Sequence, residues 1–199
     1  MNNLAIYIHG KNGNIEEAKH YEYIFRDYDV IPFDYHSQFP WEAKEEFANF
    51  FDSLSQNYDS IIIIANSIGA FLSMSALFDK KIDKAFFISP IVNMERLILD
   101  MMAWENVTEE MLQGKGEIRT SFGEILSWKY LSYVRNNPII WAIPTYILYG
   151  GNDNFTSYPT ILEFSKKANA TLTIMENGEH FFHTKDQMKF LDSWIELYK

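Results

Sequence analysis

The chain has no cysteine among its 199 residues. Disulfides, zinc thiolates and a cysteine nucleophile are therefore excluded by count. Positive charge is scarce: 17 Lys and Arg stand against 27 Asp and Glu, a formal net charge of −10. With an isoelectric point near 4.9, the chain offers no field that attracts a polyphosphate, so nucleic acid is not an expected partner. Anionic membrane surfaces are disfavoured on the same ground. Long apolar runs are missing too. The longest, around Ile61–Ala65 and Ala85–Ile88, are strand-sized and fall well short of the ~18–20 residues of a membrane-spanning helix, so no membrane insertion is expected. No basic residue precedes the first apolar stretch, Leu4–Ile8, which runs straight into His9-Gly10. No cleaved signal is read there, and the expected location is cytoplasmic.

What is present is an ordinary globular composition, 47% hydrophobic and 22% charged, with 17% aromatic residues. A chain of this length suggests a single domain, residues 1–199, able to bury roughly 70% of its unfolded surface. Short runs rich in β-branched and aromatic residues alternate with longer amphipathic stretches, the pattern of βα units. The expected strands are Leu4–His9, Val30–Tyr35, Ser60–Asn66, Lys84–Ser89, Thr145–Tyr149 and Thr171–Met175. Several are apolar on both faces, which favours a parallel sheet covered by helices on both sides. The expected fold class is α/β: a doubly wound, mostly parallel sheet of about six strands.

Helix starts are marked by side chains that can cap them. Asn14, Ser121 and Thr184 each stand three residues before Glu17, Glu124 and Gln187, close to the capping-box pattern. Pro40 suits the first turn of a helix over Trp41–Tyr58. Further helices are expected over Ile68–Phe78 and Thr184–Tyr198. From Ile91 to Ile143 the alternation breaks, and no strand is expected, only two or three helices rich in Met and Trp. These can simply pack onto the sheet, or form a helical lid over about 91–143 whose adaptable Met and aromatic side chains line an apolar pocket.

The third strand ends in Ala65-Asn66-Ser67-Ile68-Gly69, and a helix follows at once. A serine on a sharp strand-to-helix turn, flanked by small residues two positions away on each side, is a nucleophile-elbow arrangement. Ala65 and Gly69 let the turn close and lift the Ser67 hydroxyl clear of the sheet. Taken alone, Ser67 reads equally as a helix N-cap. A nucleophilic serine needs a base, and the base needs an orienting group. After the fifth strand comes Gly150-Gly151-Asn152-Asp153, and after the sixth Gly178-Glu179-His180-Phe181. Carboxyl ends of parallel strands share one edge of the sheet, so Ser67, Asp153 and His180 would converge there. Alone, Asp153 is a turn residue and His180 a hydrogen-bonded surface histidine.

Together these motifs, in the order serine, acid, histidine, make the sequence resemble the α/β-hydrolase superfamily, and within it the small serine hydrolases with an inserted helical lid. The usual glycine before the elbow is Ala65 here, which adds one methyl. The resemblance implies Ser67 as nucleophile, His180 as base and Asp153 as its orienting acid. It also places an oxyanion loop at His9-Gly10-Lys11-Asn12-Gly13, with backbone N–H donors from Lys11 and Ile68. Met94, Met101, Met102, Trp104 and Phe181 are candidates for the substrate pocket. His183 is a competing base, three residues beyond His180. Phosphate cradling at His9–Gly13 lacks P-loop and GxGxxG spacing, and a metal site lacks an HExxH pattern, so no cofactor and no metal is expected. The expected function is a serine hydrolase acting on a small-molecule acyl substrate, foremost a carboxylic ester of a small or medium apolar acyl group. The alternatives are thioesterase, amidase or peptidase action, or a non-catalytic binding member of the fold.

Overall fold

A computed structural model describes residues 2–199. Two compact units form, one from the chain up to Val92 together with Ile140–Lys199, the other from Asn93–Ile139. The first contains a six-stranded sheet, and its strands are the apolar runs of the sequence: β1 (Asn3–Ile8), β2 (Asp29–Phe33), β3 (Ser60–Asn66), β4 (Lys84–Ile88), β7 (Thr145–Gly150) and β8 (Thr171–Met175). Their order is β2-β1-β3-β4-β7-β8, and every pairing is parallel. The expected parallel α/β sheet is thus the architecture found.

Pleating sends alternate side chains to opposite faces. Ala5 and Tyr7 of β1, Ile62 and Ile64 of β3, and Phe86 and Ile88 of β4 form one buried cluster with Tyr21 of α1 (Ala18–Glu22) and Leu191, Trp194 and Ile195 of α8 (Lys185–Tyr198). On the other face, Phe33 stacks on Phe50 and meets Phe47 edge-on, which seats α2 (Pro40–Ser55). Each such buried aromatic contributes roughly 1.5–3 kcal/mol. Pro40 stands in the first turn of α2, and Thr184 caps α8 in a full capping box with Gln187. The remaining helices of this unit are α3 (Ile68–Ala76) and α7 (Tyr158–Lys167). No helix among the described residues is long and apolar enough to cross a membrane.

The second unit holds α4 (Met94–Trp104), α5 (Glu109–Lys115) and α6 (Trp128–Asn136), and between α5 and α6 an antiparallel hairpin of β5 (Glu117–Arg119) and β6 (Ile125–Ser127). The expectation of no strand between Ile91 and Ile143 is therefore corrected. The helix expected to start at Ser121 is absent as well. Gly123, at φ +91°, turns the chain in a conformation that favours glycine, while Thr120 N–H donates to the Glu124 carbonyl at 2.8 Å. The Ser121 hydroxyl donates to Glu105 instead of capping a helix. Arg135 ties the helices together, donating to Glu95 on α4 and to both carboxylate oxygens of Glu109 on α5, each at 2.7 Å.

Candidate active site

The chain reverses its direction of growth across the sheet between β1 and β3, since β2 lies on one side of β1 and β3, β4, β7 and β8 lie on the other. Ligands of open α/β sheets bind in the crevice outside the carboxyl ends of strands at such a switch point. The turn after β1 and the turn after β3 flank it. In the first, Gly13 N–H donates to the Gly10 carbonyl at 3.1 Å, and Asn12 takes φ +61°. In the second, Ser67 sits at φ +50°, ψ −118°, a conformation that costs a non-glycine residue about 1–3 kcal/mol and persists only where its surroundings over-determine it.

Those surroundings are specific. Ser67 N–H donates to the Ile88 carbonyl at 3.0 Å, and its own carbonyl accepts from Ile91 at 3.1 Å and Ala70 at 3.2 Å. Two residues on, a Cβ placed at Gly69 would lie 2.4 Å from the His9 carbonyl oxygen and 2.9 Å from that of Ile8. Only glycine lets α3 pack this closely on the end of β1. Ile68 opens α3, so its N–H has no intrahelical acceptor.

The acid and histidine loops are pressed together by the same device. A Cβ at Gly150 would stand 2.5 Å from the Glu179 carbonyl oxygen, and one at Gly151 2.2 Å from that of Glu176. Gly151 and Asn152 donate across to Met175 and Gly178, both at 2.8 Å. This contact brings His180 Nδ1 to 2.7 Å from Asp153 Oδ2 and its Nε2 to 2.8 Å from Ser67 Oγ. Asp153 is itself fixed, because its Oδ1 accepts from the N–H groups of Phe155 at 2.7 Å and Thr156 at 3.0 Å. Its side chain is wholly enclosed. Burial, and then the neighbouring Asp153 carboxylate, push the Tyr149 phenol up to about 12.

Serine, histidine and aspartate thus form one continuous hydrogen-bonded line. With Nδ1–H directed at the carboxylate, Nε2 is left to accept the serine proton. His183 stands apart, 64% exposed at its side chain with Nδ1 against the Phe181 carbonyl. His9 stacks on Tyr35 at 4.5 Å, and Tyr35 donates to the His9 carbonyl at 2.9 Å. His20 pairs with Asp192 and His36 with Glu46. Among the described residues no group of three His, Asp or Glu side chains is placed to hold a metal ion.

Phe155 is the residue that sequence reasoning missed. Its ring lies 4.7 Å from that of His180, whose other neighbour is Phe181 at 4.9 Å. The available signal was its place two residues after Asp153, where an aspartate turn aims it back. Phe181 is exposed. The pocket candidates Met94, Met101, Met102 and Trp104 all lie on α4 in the second unit, the first and third buried, Met101 half-buried and Trp104 exposed with its ring edge-on to Phe122. Lys11 is exposed at the turn after β1.

No protein-family model matches the chain, and no curated protein sequence matches it. Solved structures do. The mouse alpha/beta hydrolase domain-containing protein 10 superposes with a TM-score of 0.78 at 16% identity, over 96% of this chain and 87% of that one. Est1E from Butyrivibrio proteoclasticus gives 0.77 at 16%, over 99% and 86%. A lipase-esterase related protein from Clostridium acetobutylicum gives 0.65 at 18%, over 99% and 94%. At such identities the likeness speaks for architecture, and the architecture agrees with the strand order and the elbow: the chain has the α/β-hydrolase fold.

Proposed function

We propose that the protein is a serine hydrolase that cleaves a carboxylic ester of a small or medium apolar acyl group through an acyl-enzyme intermediate. The observation that carries this reading is the line Ser67 Oγ to His180 Nε2 at 2.8 Å and His180 Nδ1 to Asp153 Oδ2 at 2.7 Å. Ser67 attacks the acyl carbonyl carbon while His180 takes its proton, and Asp153 holds the imidazole in the productive tautomer and stabilises the imidazolium. The carbonyl oxygen, now negative, is held by the backbone N–H groups of Lys11 and Ile68, a contribution of about 3 kcal/mol for each well-placed donor. His180 then protonates the leaving alcohol. Water, deprotonated by His180, attacks the acyl-serine carbonyl, and the acid departs with Ser67 restored.

Phe155 and Phe181 support an apolar acyl group, because they present rings beside the base, and Phe181 does so from an exposed position. Among the fold neighbours, Est1E has been solved with ferulic acid bound, and a domain from Rhodothermus marinus is described as an esterase. A panel of p-nitrophenyl esters from acetate to decanoate tests the reading. Turnover should peak at short or medium chains and vanish in Ser67→Ala. A wild-type protein that turns over none of them, nor the matching thioesters and anilides, contradicts it.

A further inference from the structure

One hydroxyl is out of place in β1. Tyr7 is wholly buried among the apolar residues Leu4–Ile8 of its strand, where phenylalanine would fill the same space without a polar group to satisfy. Its hydroxyl donates to Glu17 Oε2 and accepts from Asn66 Nδ2 at 2.9 Å. Asn66 is the residue immediately before Ser67. The Tyr21 ring stacks on that of Tyr7 at 5.0 Å. Burial pushes both phenols up, which keeps them protonated and their hydrogen bonds directional.

The other end of this chain of bonds reaches the turn after β1. Glu17 Oε1 accepts from Asn14 N–H at 3.3 Å. Gly13 is folded down on the same carboxylate, for a Cβ there would meet Glu17 Oε1 and His9 Cβ at 3.0 Å each. Glu17 therefore holds Asn14 with one oxygen and Tyr7 with the other. A single path, exposed at Asn14 and buried at Tyr7, runs from the backbone of the first turn through Glu17, Tyr7 and Asn66 to the strained residue of the second.

We infer that Tyr7 and Glu17 are positioning residues that lock the turn carrying the Lys11 N–H to the elbow carrying Ser67 and the Ile68 N–H. This rests on the hydrolase reading, in which the two N–H groups come from different segments and must converge on one oxygen. Nothing covalent joins those segments locally, and the Glu17–Tyr7–Asn66 bonds span the gap beneath them. A misplacement of about 1 Å between such groups can cost on the order of 100-fold in rate.

Tyr7→Phe removes only the hydroxyl. Turnover should be expressed per Ser67 that reacts with a fluorophosphonate, so that misfolded molecules are not counted. The expected result is a fall in kcat of about 10–100-fold with KM changed less than about twofold, the signature of an interaction made in the transition state. Glu17→Ala should give a similar fall, and the double variant little more than either. The second arm reads amide hydrogen exchange. Asn66→Ala, a change at the elbow end, should speed exchange in residues 10–14 by about fivefold or more, because the coupling carries local opening from one turn to the other. If kcat per reactive Ser67 is unchanged in Tyr7→Phe, the inference is overturned, even where the protein melts earlier or the turn exchanges faster. It is also overturned if Asn66→Ala leaves exchange in residues 10–14 as it was. A wild-type protein that turns over no ester and takes no phosphonate fails the hydrolase reading instead, and the exchange arm still decides whether the two turns are coupled.

Discussion

Replacing Ser67 by glycine should make the fold more stable than replacing it by alanine, although both remove the hydroxyl. Alanine keeps the Cβ that makes φ +50°, ψ −118° unfavourable, a strain of about 1–3 kcal/mol. Glycine releases that strain but adds unfolded-state entropy worth roughly 0.5–1 kcal/mol. Both variants lose the 2.8 Å bond to His180 equally, so its contribution cancels in the comparison. The net advantage of Ser67→Gly over Ser67→Ala is about 0–2.5 kcal/mol, which for a domain of this size raises Tm by up to roughly 10 °C. Urea unfolding of the two variants followed by circular dichroism measures the difference directly, provided the slopes match. If Ser67→Ala is more stable than Ser67→Gly by about 0.5–1 kcal/mol, the full glycine entropy cost is unopposed and the elbow holds no strain.

Other outcomes follow from the same geometry. Ser67→Ala, His180→Ala and Asp153→Asn should each lower kcat by on the order of 10³-fold or more and combine non-additively, with His183→Ala costing far less; steady-state kinetics on one ester checks this. Gly150→Ala puts a Cβ 2.5 Å from the Glu179 carbonyl oxygen, so it should push the histidine loop off Asp153 and lower kcat more than it raises KM. Gly69→Ala, with its Cβ 2.4 Å from the His9 carbonyl oxygen, should destabilise by about 3 kcal/mol or more, seen as a lower denaturation midpoint. Burial raises the Glu46 carboxyl, but the Ser37 hydroxyl and the Ser37 and His36 N–H groups together outweigh it and hold the carboxyl below its usual range. The stability this gives is full above the unfolded glutamate value near 4.3 and is lost as pH falls through the lower folded value, so Glu46→Gln should flatten that part of the stability profile.

The centre of the sheet was legible because its inner strands β1, β3, β4 and β7 are buried on both faces. Ile61–Ile64 and Ala85–Ile88 have no polar face to confuse with a helix, and their order along the chain fits parallel pairing. The convergence of Ser67, Asp153 and His180 was legible for the same reason, since parallel strands put their carboxyl ends on one edge. The β5–β6 hairpin was not. Three-residue strands are too short to display a period, and Ser121 with Glu124 copies the spacing of a capping box while Gly123 turns the chain there. The roles of Gly150 and Gly151 were hidden as well: their φ angles are ordinary, and what demands glycine is a neighbouring loop nearly thirty residues away in sequence. Tyr7 gave no sign because an aromatic in a buried strand reads as core, and its partner Glu17 reads as a helix cap. Both are also what they looked like. Long-range hydrogen bonds add the second role, and no local pattern encodes them.

The most direct test of the account is to react the wild-type protein with a fluorophosphonate and weigh it intact, then locate the adduct by peptide mapping. One phosphonyl group per chain, on Ser67, with none taken up by Ser67→Ala and slow uptake by His180→Ala, is the expected result. A wild-type protein that stays unmodified while a control esterase reacts fully, or one labelled at a serine other than Ser67, contradicts the claim that this serine is an activated nucleophile.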